Sequence, residues 1–161
     1  MPEKLVTCLW LDDQAEEMVK FYKNVFKENF KEGDITYYTT DTPSNKPIGS
    51  VLTTEFEIFG QRFMALNGGA DFKFNEAVSF VIDCENQEEI DYYWKALSAV
   101  PESEVCGWLK DKFGVSWQIN PTRLDEMIKS DDKEAAKRAM DAMMKMKRLI
   151  IADLEKAYSS R

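Results

Sequence analysis

A strand-helix unit near the start of the chain recurs in its second half. Val6-Thr7-Cys8-Leu9-Trp10-Leu11 leads into a helical pattern containing Glu16-Glu17-Met18, Phe21-Tyr22 and Lys23. Val78-Ser79-Phe80-Val81-Ile82-Asp83 leads into Glu88-Glu89-Ile90, Tyr93-Trp94 and Lys95. The offset is constant at 72 residues (78 − 6 at the strand, 95 − 23 at the helix). Such a duplication predicts two similar modules, each supplying a sheet, related by a pseudo-twofold axis and meeting at a cleft. A chain of 161 residues holds one ordinary domain or two very small modules sharing a core.

Hydropathy fills in each module. Residues 4–11 read as a strand, and residues 14–27 put Ala15, Met18, Val19, Tyr22, Val25 and Phe26 at helical spacing. The Ile-Thr-Tyr-Tyr-Thr-Thr run after Gly33 and Asp34 has strong β character. Asp41 to Pro47 is a loop, and strands at 48–58 and 61–67 are joined by a tight turn at Phe59-Gly60-Gln61. The second module repeats the order. A strand covers about 77–83, and a helix covers about 86–98 with Asn86 as N-cap and Glu89 three residues on. Glu104 to Lys110, a turn at Asp111-Lys112-Phe113-Gly114 and a strand from Val115 to Asn120 follow. Each module reads as βαβββ, the second shortened.

From Pro121 the character changes. Residues 122–129 form a short helix. Asp131-Asp132 caps a longer one, with Ala136, Met140, Met143, Met144, Ile150, Ile151 and Leu154 near helical period. This Met-rich stripe packs on its own domain or a dimer mate, or forms an adaptable groove for a partner. The expected organisation is a first module at 1–70, a second at 71–121 and a helical extension at 122–161.

Charge and cysteine usage exclude several classes. A formal charge of −8 argues against nucleic acid and against an anionic membrane surface. No apolar run approaches the roughly 20 residues of a membrane span, and no signal-peptide pattern opens the chain. Cys8, Cys84 and Cys106 are an odd count, and the first two look like reduced core residues, so a cytoplasmic protein is expected. Histidine is absent, which removes Ser-His-Asp and Cys-His catalysis and the commonest transition-metal ligand.

The motifs taken together resemble a known family. Phe63-Met64-Ala65-Leu66-Asn67-Gly68-Gly69, Phe72, Phe74, Glu76-Ala77 and Ser79-Phe80 are followed by Gln87-Glu88-Glu89, Asp91 and Tyr93-Trp94. Cys106-Gly107-Trp108-Leu109-Lys110-Asp111, Gly114 and Ser116-Trp117-Gln118 complete the set. Over residues 4–158 the chain resembles the PhnB-like branch, named 3-demethylubiquinone-9 3-methyltransferase-like, of the vicinal oxygen chelate superfamily. That superfamily includes glyoxalase I, extradiol dioxygenases, fosfomycin resistance enzymes and bleomycin-binding proteins. The resemblance implies an α+β fold of paired βαβββ modules forming a concave half-barrel, with added C-terminal helices, and a homodimer. It also implies a divalent metal held by the first and last strands of each module. Carried over by the repeat, those positions are Thr7, Ala65, Ser79 and Gln118, with one-residue shifts to Cys8 and Met64 as alternatives. None is His, Asp or Glu, so no metal and no cofactor is expected.

If those four positions face the concavity, strand alternation adds Leu9, Phe63, Asn67, Val81, Ser116 and Asn120 to the same face. Cys8, Trp10, Phe80, Ile82, Trp117 and Ile119 then lie on the opposite face, beneath the helices. Apolar walls with scattered hydroxyls and amides suit a small-molecule ligand; alternatively Ser79, Gln118 and Asn67 hydrogen-bond one another and fill the barrel. Trp108 either stacks on a flat ligand at the mouth or packs in a core or interface. Lys110 and Asp111 read as a solvated turn. Glu76 is either a carboxylate base or a loop cap, and Cys106 is the most accessible thiol. Asn67-Gly68-Gly69 lacks the Lys-Ser/Thr of a phosphate loop, and its glycines allow a sharp exit from the strand. No glycine-rich strand-turn-helix unit marks an S-adenosylmethionine or dinucleotide site. The expected function is small-molecule binding without the usual metal; the alternative is a superfamily enzyme using a substrate-completed metal, Glu76 or Cys106.

Overall fold

The computed structural model describes residues 4–160. The chain divides into two compact units, Met1–Lys73 and Phe74–Arg161. The first contains strand β1 (Thr7–Leu11), helix α1 (Ala15–Phe26) and strands β2 (Phe30–Tyr37), β3 (Val51–Ile58) and β4 (Gln61–Asn67). These strands form an open sheet in the order β1-β4-β3-β2. β1 runs parallel to β4, and the other two pairings are antiparallel. This is the expected βαβββ module.

Parallel pairing of β1 with β4 demands a crossover, and α1 supplies it. Its apolar stripe of Met18, Tyr22, Val25 and Phe26 is buried on the sheet. Tyr22 packs on Phe56 at 6.0 Å between ring centroids, and Phe56 stacks on Phe63 at 5.4 Å. At the start of the helix, the Ala15 amide donates to Asn67 Oδ1 at 2.9 Å. Asn67 Nδ2 in turn donates to the Val51 carbonyl. One buried amide thus ties the helix entrance, the end of β4 and the start of β3 together.

The β3–β4 turn places Phe59 at φ 50° and Gly60 at φ 79°, the two left-handed positions of a type I′ hairpin. After β4, Gly68 and Gly69 have different tasks. Gly69 has φ 104°, whereas a Cβ on Gly68 would lie 2.4 Å from the Trp10 ring. The Trp10 indole N–H donates to the Gly69 carbonyl and so holds the exit closed. Strand β2 begins at Phe30, three residues before the expected Gly33. The early part, Lys31-Glu32-Gly33-Asp34, is polar because β2 is an exposed edge, and its register shifts between Glu32 and Ile35.

The second unit contains β5 (Ser79–Cys84), α2 (Gln87–Leu97), β6 (Trp108–Lys110) and β7 (Ser116–Pro121). Their order is β5-β7-β6, with β5 parallel to β7. Asn86 caps α2 by accepting from the Glu89 amide, as the sequence predicts. The module is βαββ and not βαβββ. Residues 27–50 between α1 and β3 accommodate β2 and a return loop, whereas residues 98–107 are too few for both. A single 3-10 turn at Pro101–Ser103 fills that place.

Asp111 is not in a solvated turn. It is fully buried, and its carboxylate accepts from the Phe113 and Val115 amides and from the Trp117 indole N–H at 2.9–3.1 Å. The side chain builds the β6–β7 turn from inside.

Three helices follow: α3 (Thr122–Ile128), α4 (Lys133–Met143) and α5 (Ile151–Ser159). Asp132 caps α4 through the Ala135 amide. The single long helix expected after Asp132 is two helices, because neighbours hold residues 144–150 out of helical form. The Cys106 and Gly107 amides donate to the Met146 and Lys147 carbonyls. The Gln87 side chain donates to the Leu149 carbonyl and accepts from the Ile151 amide. Leu124, Met127, Ala139, Leu149 and Leu154 form a small core, with Met143 and Met146 against it; Met140 and Met144 remain exposed. No helix among the described residues is long and apolar enough to cross a membrane.

Replacing Asp111 with alanine strands the Trp117 indole and two amides without their acceptor. Urea denaturation should show a loss of about 3–5 kcal/mol. A loss below about 1 kcal/mol would show that the turn does not depend on this carboxylate.

Candidate functional site

The face of each sheet left free by its helix decides which side chains can meet a ligand. In the first unit the expected parity is reversed. Leu9, Phe63, Ala65 and Asn67 are buried beneath α1, and Thr7, the register partner of Phe63, shares their side. The physical reason is the aromatic stack of Tyr22, Phe56 and Phe63 together with the Asn67–Ala15 bond. These five residues therefore do not line the free face. That face carries Cys8, Trp10, Met64 and Leu66, the one-residue shift that the repeat left open. Cys8 is accordingly exposed and not a core residue, whereas Cys84 is buried. A groove of about 420 Å³ between α1 and β2 is bridged by the Lys23–Glu32 ion pair at 3.1 Å.

In the second unit the expected parity describes the sheet. Ile82, Cys84, Leu109, Trp117 and Ile119 are buried with Ile90, Tyr93 and Leu97 of α2. The free face carries Ser79, Val81 and Asp83 from β5, and Ser116, Gln118 and Asn120 from β7. Trp108 and Lys110 join them from β6, Trp108 directly opposite Gln118. Gln118 Nε2 donates to Ser79 Oγ at 3.0 Å, so these two polar groups satisfy each other in part. Val81 is 52% exposed. Ser116 is buried, and its hydroxyl has no hydrogen-bond partner among the described residues.

At the C-terminal ends of β5 and β7 the free face leads into a cavity of about 330 Å³. Val81, Asp83 and Asn120 form one side, and Thr122, Asp125 and Ile128 of α3 form the other. Val81 and Asn120 are the residues that strand parity puts on a cleft face; Asp83 and α3 join them only in the structure. Asp83 lies two residues beyond Val81 on the same face, a signal the strand period contains.

The donor set does not fit the divalent metal of the superfamily. Cys8 and Met64 are register neighbours in one sheet, and Ser79 and Gln118 share a face of the other. Desolvation raises the Cys8 thiol pKa, which disfavours the thiolate a metal needs. Among the described residues no group of three or more Cys, Asp or Glu side chains could hold a metal ion.

The two other candidates for chemistry are engaged elsewhere. Glu76 pairs with Lys110, and this hydrogen bond holds its carboxyl below the usual range. A carboxylate stabilised in that way is a weaker base. Cys106 sits at φ 51° in the turn before β6, and its thiol donates to the Met144 carbonyl at 3.5 Å. It meets the segment after α4, with Met144 Sδ 3.8 Å away.

The family described as 3-demethylubiquinone-9 3-methyltransferase matches residues 3–120. A solved PhnB protein from Bacillus cereus that carries the same family name is 32% identical. It matches 74% of this chain and 100% of its own, with a TM-score of 0.60. The fosfomycin resistance protein FosX from Listeria monocytogenes shares the fold at 18% identity and a TM-score of 0.53, over 81% of this chain and 99% of its own. A protein from Pseudomonas aeruginosa does so at 17% identity and a TM-score of 0.51, over 74% and 97%. No curated protein matches the chain significantly. The chain belongs to the 3-demethylubiquinone-9 3-methyltransferase-like, or PhnB-like, family of the vicinal oxygen chelate superfamily.

Proposed function

We propose that this protein binds a small, partly aromatic organic molecule on the free face of its second sheet, without the divalent metal of its superfamily. The cavity beside Val81 carries the reading. Its volume falls in the range of about 300–1,000 Å³ typical of ligand sites, and its lining mixes apolar walls with a few polar groups. Trp108, Gln118 and Ser79 continue the same face with a flat ring, an amide and a hydroxyl. Sequestration or sensing needs no more than this. The methyl-transfer reaction in the family name gains no support from the glycine pair after β4, which serves Trp10.

We place the protein in the cytoplasm, where its three free cysteines stay reduced. We also propose a homodimer. The support is β2, an edge strand with unpaired backbone groups and with Ile35 and Tyr37 about half exposed.

A thermal-shift screen of metabolites and antibiotics should yield a stabilising compound, with the melting temperature raised by about 2 °C or more. Val81→Trp fills the cavity from an exposed position, so it should remove that shift while leaving the unliganded melting temperature unchanged. A shift that survives Val81→Trp would place the ligand elsewhere, and a screen without any hit would count against binding. Sedimentation of the 18.7 kDa chain should give a dimer; a monomer at every concentration would contradict that assembly.

A further inference from the structure

The cavity at the ends of β5 and β7 has an uneven charge. Two carboxylates, Asp83 of β5 and Asp125 of α3, line it, and no lysine or arginine is among its lining residues. Asp125 is neutralised along its own helix by Lys129 at 2.6 Å. Asp83 has no ion-pair partner among the described residues. Beside Asp83 stand two apolar side chains that a folded chain ordinarily covers: Val81, 52% exposed, and Ile128, 40% exposed. The Asn120 amide and Thr122 hydroxyl supply oxygen acceptors between them.

We infer that this cavity selects small organic cations, an ammonium group carried on an apolar body, through Asp83 with Val81 and Ile128. The inference rests on the small-molecule reading above and adds the class of ligand. An ammonium N–H donating to the Asp83 carboxylate forms a charge-assisted hydrogen bond, roughly twice as strong as a neutral one. The remaining N–H donors meet the Asn120 and Thr122 oxygens, and the apolar body covers Val81 and Ile128. An anion would instead face the uncompensated Asp83 carboxylate, which is exposed, so the repulsion falls as salt is added. The seven residues of α3 make a helix too short to reverse that field. Among the described residues no three Cys, Asp or Glu side chains are grouped here to hold a bare metal ion. The net charge of −8 attracts cations from a distance and repels anions.

Three probes of similar shape separate the possibilities: phenethylamine, 2-phenylethanol and phenylacetate, titrated into the full chain by ligand-observed NMR. The amine should bind about tenfold more tightly than the alcohol, and phenylacetate more weakly than either. Asp83→Asn should remove the advantage of the amine and bring it to the level of the alcohol, with the melting temperature unchanged. Added sodium chloride should weaken the amine alone. Equal binding of all three probes, lost in Val81→Trp, would overturn the charge selectivity while leaving the binding reading intact. An amine advantage that survives Asp83→Asn, or an amine that does not bind at all, would also overturn the inference.

Discussion

Both units depend on the same backbone constraint: their first and last strands run parallel and are hydrogen-bonded to each other. Parallel neighbours cannot be joined by a tight turn, so the chain must cross over, and in each unit it does so through one helix. That helix covers one face of the sheet and does not cover the other. The Asn67 side chain fixes the choice in the first unit by binding the first amide of α1. In the second unit the buried row of Ile82, Cys84, Trp117 and Ile119 makes the same choice without a polar lock. The available chemistry follows directly, because only residues of the opposite parity can meet a ligand. The second unit offers a polar and aromatic face of this kind, ending in a cavity against α3.

Much of this was legible in the sequence because the repeat aligns elements of equal type. A constant offset fixes both crossovers, and the Asn86 cap and the Phe59-Gly60 turn carry strong local signals. The parity of the first sheet was not legible. Its strands are apolar on both sides: Leu9, Phe63 and Ala65 alternate with Trp10, Met64 and Leu66, so period two does not say which set the helix covers. Asn67 decides it, and an asparagine before two glycines reads more simply as a strand end. The second sheet alternates more cleanly, with Ser79, Val81, Asp83, Gln118 and Asn120 against an apolar row, although Ser116, expected on the same face, is buried.

Other differences have tertiary causes. Asp111 reads as a surface residue because it sits between two lysines, yet its carboxylate is the acceptor around which the turn closes. The break between α4 and α5 has no glycine or proline to announce it. It exists because a turn forty residues earlier and the Gln87 side chain take up the backbone groups of residues 146–151. The missing strand of the second module follows from length alone, and the repeat had hidden it.

The fold places this chain in a superfamily built around a metal, while the sheet faces that its helices leave free present sulfur, hydroxyl and amide groups. The most direct measurement is the metal content of the full chain purified without chelators, read by inductively coupled plasma mass spectrometry. The account predicts zinc, nickel, iron and manganese all far below one atom per chain, with ligand binding unaffected by chelation. One tightly held divalent ion per chain, needed for ligand to bind, would contradict it.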